Sequence, residues 1–170
     1  MKLSHLLSQR KLTIFERWLD LIFSSYPPET TRFLKKEKDR FNNPVAYRLS
    51  QGARGLVDAL VSGATVEEVS RYLDEIIRIK AVQDFSPSQA LAFVFLLKKV
   101  IREELAPEIR ADTGLAAEML DLESQIDGLA LLGFDVYVKR REKLYDIRVN
   151  EVKAKVSGLL RKAGINVTHI

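Results

Sequence analysis

Acid–base, nucleophilic and metal chemistry need imidazoles, thiolates or convergent carboxylates, and this chain carries few of them. Its two histidines, His5 and His169, lie at opposite ends, and it has no cysteine. Without an interior His, no Ser-His-Asp base, His-based metal centre or proximal haem ligand can be assembled in a core. Without Cys there is no thiolate nucleophile and no disulfide framework. Gly114, Gly128 and Gly133 are isolated, so no glycine-rich phosphate loop is formed. The carboxylates stand beside basic residues at helical spacing, as Glu103 and Glu104 do beside Arg102. That is the pattern of a solvated, ion-paired face rather than of an acid–base dyad. The expectation is a protein that is not an enzyme, with no catalytic residue, no metal and no cofactor.

What remains is recognition, and three groups of residues invite it. Arg78, Lys80, Gln83 and Asp84 precede Ser86 and Gln89 in the stretch RIKAVQDFSPSQ. They suit the exposed carbonyls at a helix end, or a shallow effector or partner patch beside a helix N-terminus that favours anions. A second group is basic. From Lys139 to Lys162 nine Lys or Arg stand against three Asp or Glu, a net of +6 that leaves −2 of the total +4 to the rest of the chain. Arg140, Arg141 and Lys143 are the candidates there for contact with phosphates. Glu142, Asp146 and Glu151 interrupt the run, which fits an ion-paired coiled-coil surface better than a one-signed nucleic-acid footprint. The third group is the apolar series Phe134, Tyr137, Leu144, Val149, Val152, Val156 and Leu159, a candidate dimer or output helix.

The elements that must position these groups read as helices throughout. The 170 residues are 46% apolar and 29% charged, a globular composition. The first helix spans about Leu3 to Ser24 with Leu7, Ile14, Trp18, Leu21 and Ile22 on one stripe, and Pro27 and Pro28 break it. A short helix with Phe33 and Leu34 follows. Asn43 caps and Pro44 opens a third helix, which carries Leu49, Leu56 and Val57 and ends at Gly63. Thr65 and Glu68 form a capping box for a fourth, with Val69, Leu73, Ile76, Ile77 and the stem of Lys80 inward. Ser86, Pro87 and Gln89 start the fifth and most apolar helix, with Ala90, Leu91, Val94, Phe95, Leu97, Lys98 and Ile101, ending near Pro107. From about Thr113 to Ala163 helical patterning continues without proline. Unbroken, those ~50 residues span roughly 75 Å, so the helix either projects as a dimerising coil or bends back at Gly128 or Gly133; projection or dimer exchange is favoured.

The stretches RIKAVQDFSPSQALAFVFLLKKVIREEL, YPPE at 26–29, DRFNNPVAYRL at 39–49 and LALLGFDVYVKRREKLYDIRVNEVK at 129–153 resemble the N-terminal domain of RsbT co-antagonist proteins of the RsbR and RsbRD type. The resemblance implies an all-α input domain, a compact bundle with a globin-like arrangement lacking haem, joined through a C-terminal helix to an output module such as a STAS domain. No such module precedes the end at Ile170, so a free-standing input domain that works by binding is expected. We therefore expect residues 1–128 to form the globular part and 129–170 the dimerisation or output helix of the same domain. The expected partners are a second copy and a protein of a signalling or enzyme complex, with nucleic acid as the alternative. The N-terminus has no continuous apolar core of a signal peptide and ALAFVFLL is too short to span a bilayer, which places the protein in the cytoplasm without membrane insertion.

Overall fold

The computed structural model describes residues 2–165, so His169 lies outside the described residues. It consists of α1 (Leu3–Ser24), α2 (Pro28–Lys36), α3 (Pro44–Ser62), α4 (Val66–Val82), α5 (Pro87–Glu104), α6 (Ala106–Ala111) and α7 (Thr113–Lys162), with no strand among the described residues. The helix starts are set locally. Buried Asn43 accepts from the Ala46 amide at 3.1 Å and donates to the Glu37 carbonyl at 3.0 Å, tying the end of α2 to the start of α3. Capping boxes close on both Thr65 with Glu68 and Ser86 with Gln89. Gly63, at φ +66°, ends α3 in the left-handed conformation glycine adopts without strain.

α1 lies across α3 and α5, α3 packs on α4, and both α4 and α5 pack on the first half of α7. The centre is Trp18, fully buried, whose indole N–H donates to the Phe93 carbonyl at 2.7 Å while its ring stacks on Phe93. Phe93 is therefore the inward aromatic of α5, and Phe95, expected in the core, is half exposed. A helix apolar on most sides gives periodicity little to decide between neighbours two apart. Phe33 is likewise exposed while Leu34 is buried. α5 stops at Glu104, close to the expected end near Pro107, and Pro107 stands in the first turn of a separate short helix, α6.

α7 runs straight through both expected bending points. A Cβ on Gly133 would lie 2.9 Å from Leu91 and 3.1 Å from Ile77, so this glycine lets α4 and α5 approach the helix backbone. Gly52 and Gly55 do the same between α3 and α4, against Ile76 and the Tyr72 ring. At Gly128 nothing lies within 4 Å, and one glycine costing about 1 kcal/mol does not break a helix packed on both sides of it. The 128/129 division falls inside α7, since Ala130, Gly133 and Tyr137 are still buried against the body. Beyond Arg141 the helix is mostly exposed. Gly52→Leu is expected to lower stability by about 1–3 kcal/mol through overpacking, and Gly128→Ala to raise it by up to ~1 kcal/mol; urea unfolding of the two variants would measure the contrast.

Candidate functional site at the α4–α5 junction

Between Val82 and Pro87 the chain leaves one helix and enters the next through Gln83, Asp84, Phe85 and Ser86. Asp84 takes φ 56°, a left-handed conformation that Asp tolerates better than most residues. This turn swings Phe85 back toward the last turn of α4, where Lys80 is 1% exposed. The Lys80 Nζ sits 4.6 Å from the Phe85 ring centroid and 4.8 Å from that of Tyr26, and the two rings meet edge to face. Tyr26 comes from the corner between α1 and α2, and its hydroxyl donates to Gln83 Oε1 at 2.8 Å. Among the described residues no carboxylate pairs with this ammonium. Burial lowers the Lys80 pKa from 10.5 to about 8, while the two ring faces favour the cation and act the other way. Burial also pushes the Tyr26 phenol up to about 12.

α7 closes the other side of the junction. The Tyr137 hydroxyl donates to the Phe85 carbonyl at 2.6 Å. Arg141 Nη1 donates to the Ala81 carbonyl and to Asp84 Oδ1, both at 3.0 Å, and its Nη2 reaches the Tyr145 hydroxyl. One turn away, Arg140 makes a two-pronged pair with Asp74 of α4, with its Nε 2.9 Å from Oδ1. The hydrogen bond from Arg141 holds the Asp84 carboxyl below the usual range, and the bond that Arg140 donates to Asp74 raises its own guanidinium.

The structure thus joins part of the expected patch and divides the rest. Lys80, Gln83 and Asp84 surround one junction, and Ser86 and Gln89 are engaged with each other in the cap. Arg78 is on a different side, lining a shallow depression with Tyr47 and Gln51 of α3. Of the basic trio, Arg140 and Arg141 are bound to the body, and Lys143 has no ion pair among the described residues. Sequence reasoning missed Tyr26, Phe85 and Asp74 as site residues, although Tyr26 and Phe85 stand within stretches that had drawn notice, YPPE and RIKAVQDFSPSQ.

In the apolar series, Tyr137 is buried within its own chain and faces the body, and Leu144 is half-buried. Phe134, Val149, Val152, Val156 and Leu159 are exposed. All but Phe134 belong to a longer arrangement, because Leu131, Val138, Tyr145, Val152 and Leu159 recur every seventh residue, with Val149, Val156 and Ala163 completing the alternate positions from 149 onward. Leu131, 75% exposed, opens this seam and was not singled out from the sequence.

Among the described residues no group of His, Cys, Asp and Glu can hold a metal ion, and no helix is long and apolar enough to cross a membrane. The described residues form an all-helical body with one helix anchored along about half its length and exposed along the rest. The chain belongs to the family described as the RsbT co-antagonist protein RsbRD N-terminal domain, whose profile matches residues 13–152. This is a family of signalling and regulatory domains, not a known enzyme family. Searches of curated proteins and of solved structures returned no match.

Two consequences can be measured. The folded state releases the Lys80 proton at about pH 8 and the unfolded chain near 10.5, so between those values the unfolded state binds more protons and stability rises with pH. Above about pH 10 Tyr26 acts in the opposite sense, because the folded state keeps its proton to about 12. Lys80→Met is expected to abolish the rise from pH 8 to 10 and to stabilise the fold at pH 7 by about 1–2 kcal/mol, burial relief less the lost ring contacts. Urea titrations across that pH range would show it. Tyr137→Phe removes the donor to the Phe85 carbonyl and should cost about 1–2 kcal/mol, with faster amide exchange in residues 83–86 and 137–145 than elsewhere in the body.

Proposed function

We propose that this domain is a cytoplasmic, non-enzymatic input module that acts through protein–protein interaction as a homodimer, joined along the distal half of α7. The observation that carries the reading is the exposed seam. Tyr145, Val152 and Leu159 alternate with Val149, Val156 and Ala163 at four- and three-residue steps, the spacing that two helices bury as knobs in holes. β-Branched residues at one set of positions and a leucine in the other favour two parallel strands. A signal reaching the body would change how Tyr137, Arg140 and Arg141 seat α7, and so the register or rotation of the seam. Packed interfaces of this kind move between discrete arrangements rather than deform continuously. Nucleic-acid binding fits less well, since two of the three arginines and lysines put forward for it are occupied by Asp84 and Asp74.

The flanks of the seam set its strength. In a parallel pair, Arg148 of one chain faces Lys153 of the other, a like-charge contact repeated by symmetry. Sedimentation equilibrium of the full chain at micromolar concentration should show a dimer that tightens with added salt. Lys153→Glu should tighten it severalfold and remove that dependence, and Val152→Lys with Leu159→Lys should leave a folded monomer. A wild-type chain that stays monomeric, or a dimer indifferent to the seam substitutions, would end the proposal.

A further inference from the structure

We infer that the cleft between the α3–α4 turn and α7 is a binding site for a small, uncharged, largely apolar molecule. The cleft has a volume of about 420 Å³. Its walls come from three elements, with Leu60 from the end of α3, Val69 from α4, and Gln125, Leu129 and Leu132 from α7. Among the described residues no ionisable side chain lines it, and Gln125 is the one side chain there with a polar group. Apolar walls with a single orienting polar group are the usual build of a small-molecule site. A charged ligand would give up its hydration there with no countercharge to receive it. Size narrows the class further. A buried apolar cavity of about 150 Å³ takes benzene, so a cleft of this volume admits two or three fused or linked rings, or an alkyl chain of similar bulk.

Gly128 supplies the second observation. Gly52, Gly55 and Gly133 are required by packing, because an added Cβ would come within 3 Å of a neighbouring side chain at each. At Gly128 an added Cβ meets nothing within 4 Å, yet the residue keeps glycine's disadvantage in the interior of a helix. It lines the cleft. Close packing does not explain a glycine there, nor at the equally unobstructed Gly158, but of the two only Gly128 lines the cleft, where a longer side chain would enter the space. An occupant would lie against Leu129 and Leu132, two turns before the Tyr137 anchor on the same helix. The site is thus placed to sense a molecule whether or not the distal seam forms a dimer.

The test is a fluorescence titration of the full chain with N-phenyl-1-naphthylamine, an uncharged dye of this class. Saturable binding of one dye per chain is expected. Gly128→Leu, which fills the cleft where nothing obstructs it, should weaken binding by at least about tenfold while the melting temperature holds or rises. The seam substitutions Val152→Lys with Leu159→Lys should leave binding unchanged. Unlabelled 1-naphthol should displace the dye, and 1-naphthoate should do so about tenfold less well. Absent or non-saturable binding, binding that survives Gly128→Leu, or binding lost only with the seam substitutions would overturn the inference. So would a Gly128→Leu chain that keeps the dye but no longer self-associates, because the cleft would then receive a second copy instead.

Discussion

A helix that ends inside a protein leaves carbonyls with no intrahelical donor, and the end of α4 is such a place. The Ile79 carbonyl is met by the Gln83 amide. The Ala81 and Phe85 carbonyls receive side-chain donors from α7, through Arg141 and Tyr137. A buried acceptor left without a donor costs about 1–3 kcal/mol, so the junction between α4 and α5 keeps its shape only while α7 is seated against it. The dependence runs both ways, since the same bonds hold α7 against the body. The position of the longest helix is therefore fixed by the hydrogen-bonding needs of a turn more than 50 residues away in sequence.

The same turn holds Lys80 on its inner side, and the two arrangements share Phe85. Its ring packs on the ammonium and its carbonyl takes the Tyr137 proton. Tyr26 extends the set to the α1–α2 corner. Several other cations between elements of this fold meet carboxylates, as Arg140 meets Asp74 and Arg102 meets Glu123 with two nitrogens, while Arg54 lies over the Phe15 ring. Lys80 meets only ring faces, whose attraction for a cation is worth about 0.5–2 kcal/mol and vanishes when the amine is neutral. Its charge state therefore changes the contacts at the junction, whereas an arginine paired with a carboxylate keeps its charge at any ordinary pH.

How much of this was legible follows from the range of each interaction. Helix starts were readable because their determinants are three residues apart: Asn43 with Ala46, Thr65 with Glu68, Ser86 with Gln89. The polar cluster of Lys80, Gln83 and Asp84 stood out against the apolar runs on either side. What those residues touch did not, because Tyr26, Tyr137 and Arg141 come from elements whose neighbourhood has no local signature. The charge of Arg140 and Arg141 was visible and their commitment was not, since Asp74 and Asp84 lie 66 and 57 residues away. On α5, uniform apolarity hid that Phe93, not Phe95, meets Trp18.

α7 carries one further distinction that spacing alone could have revealed. Its body-facing residues are Leu115, Met119, Leu122, Ile126, Ala130, Gly133 and Tyr137, with Leu144 half-buried beyond them. Leu115, Ile126 and Tyr137 recur every eleventh residue, as do Leu122, Gly133 and Leu144. An eleven-residue repeat corresponds to about 3.67 residues per turn, close to the 3.6 of a straight helix, so this stripe stays on one side of a straight rod. The seam from Leu131 to Leu159 repeats every seventh residue, about 3.5 per turn, and on a straight rod it drifts by roughly 20° per heptad. Only a left-handed supercoil keeps such a seam facing one partner. Both repeats were taken together as one series of helical steps, which is why Tyr137 and Leu144 were grouped with Val149 and Leu159. Separated by period, the first stripe belongs to the fold of this chain and the second to whatever helix it coils with.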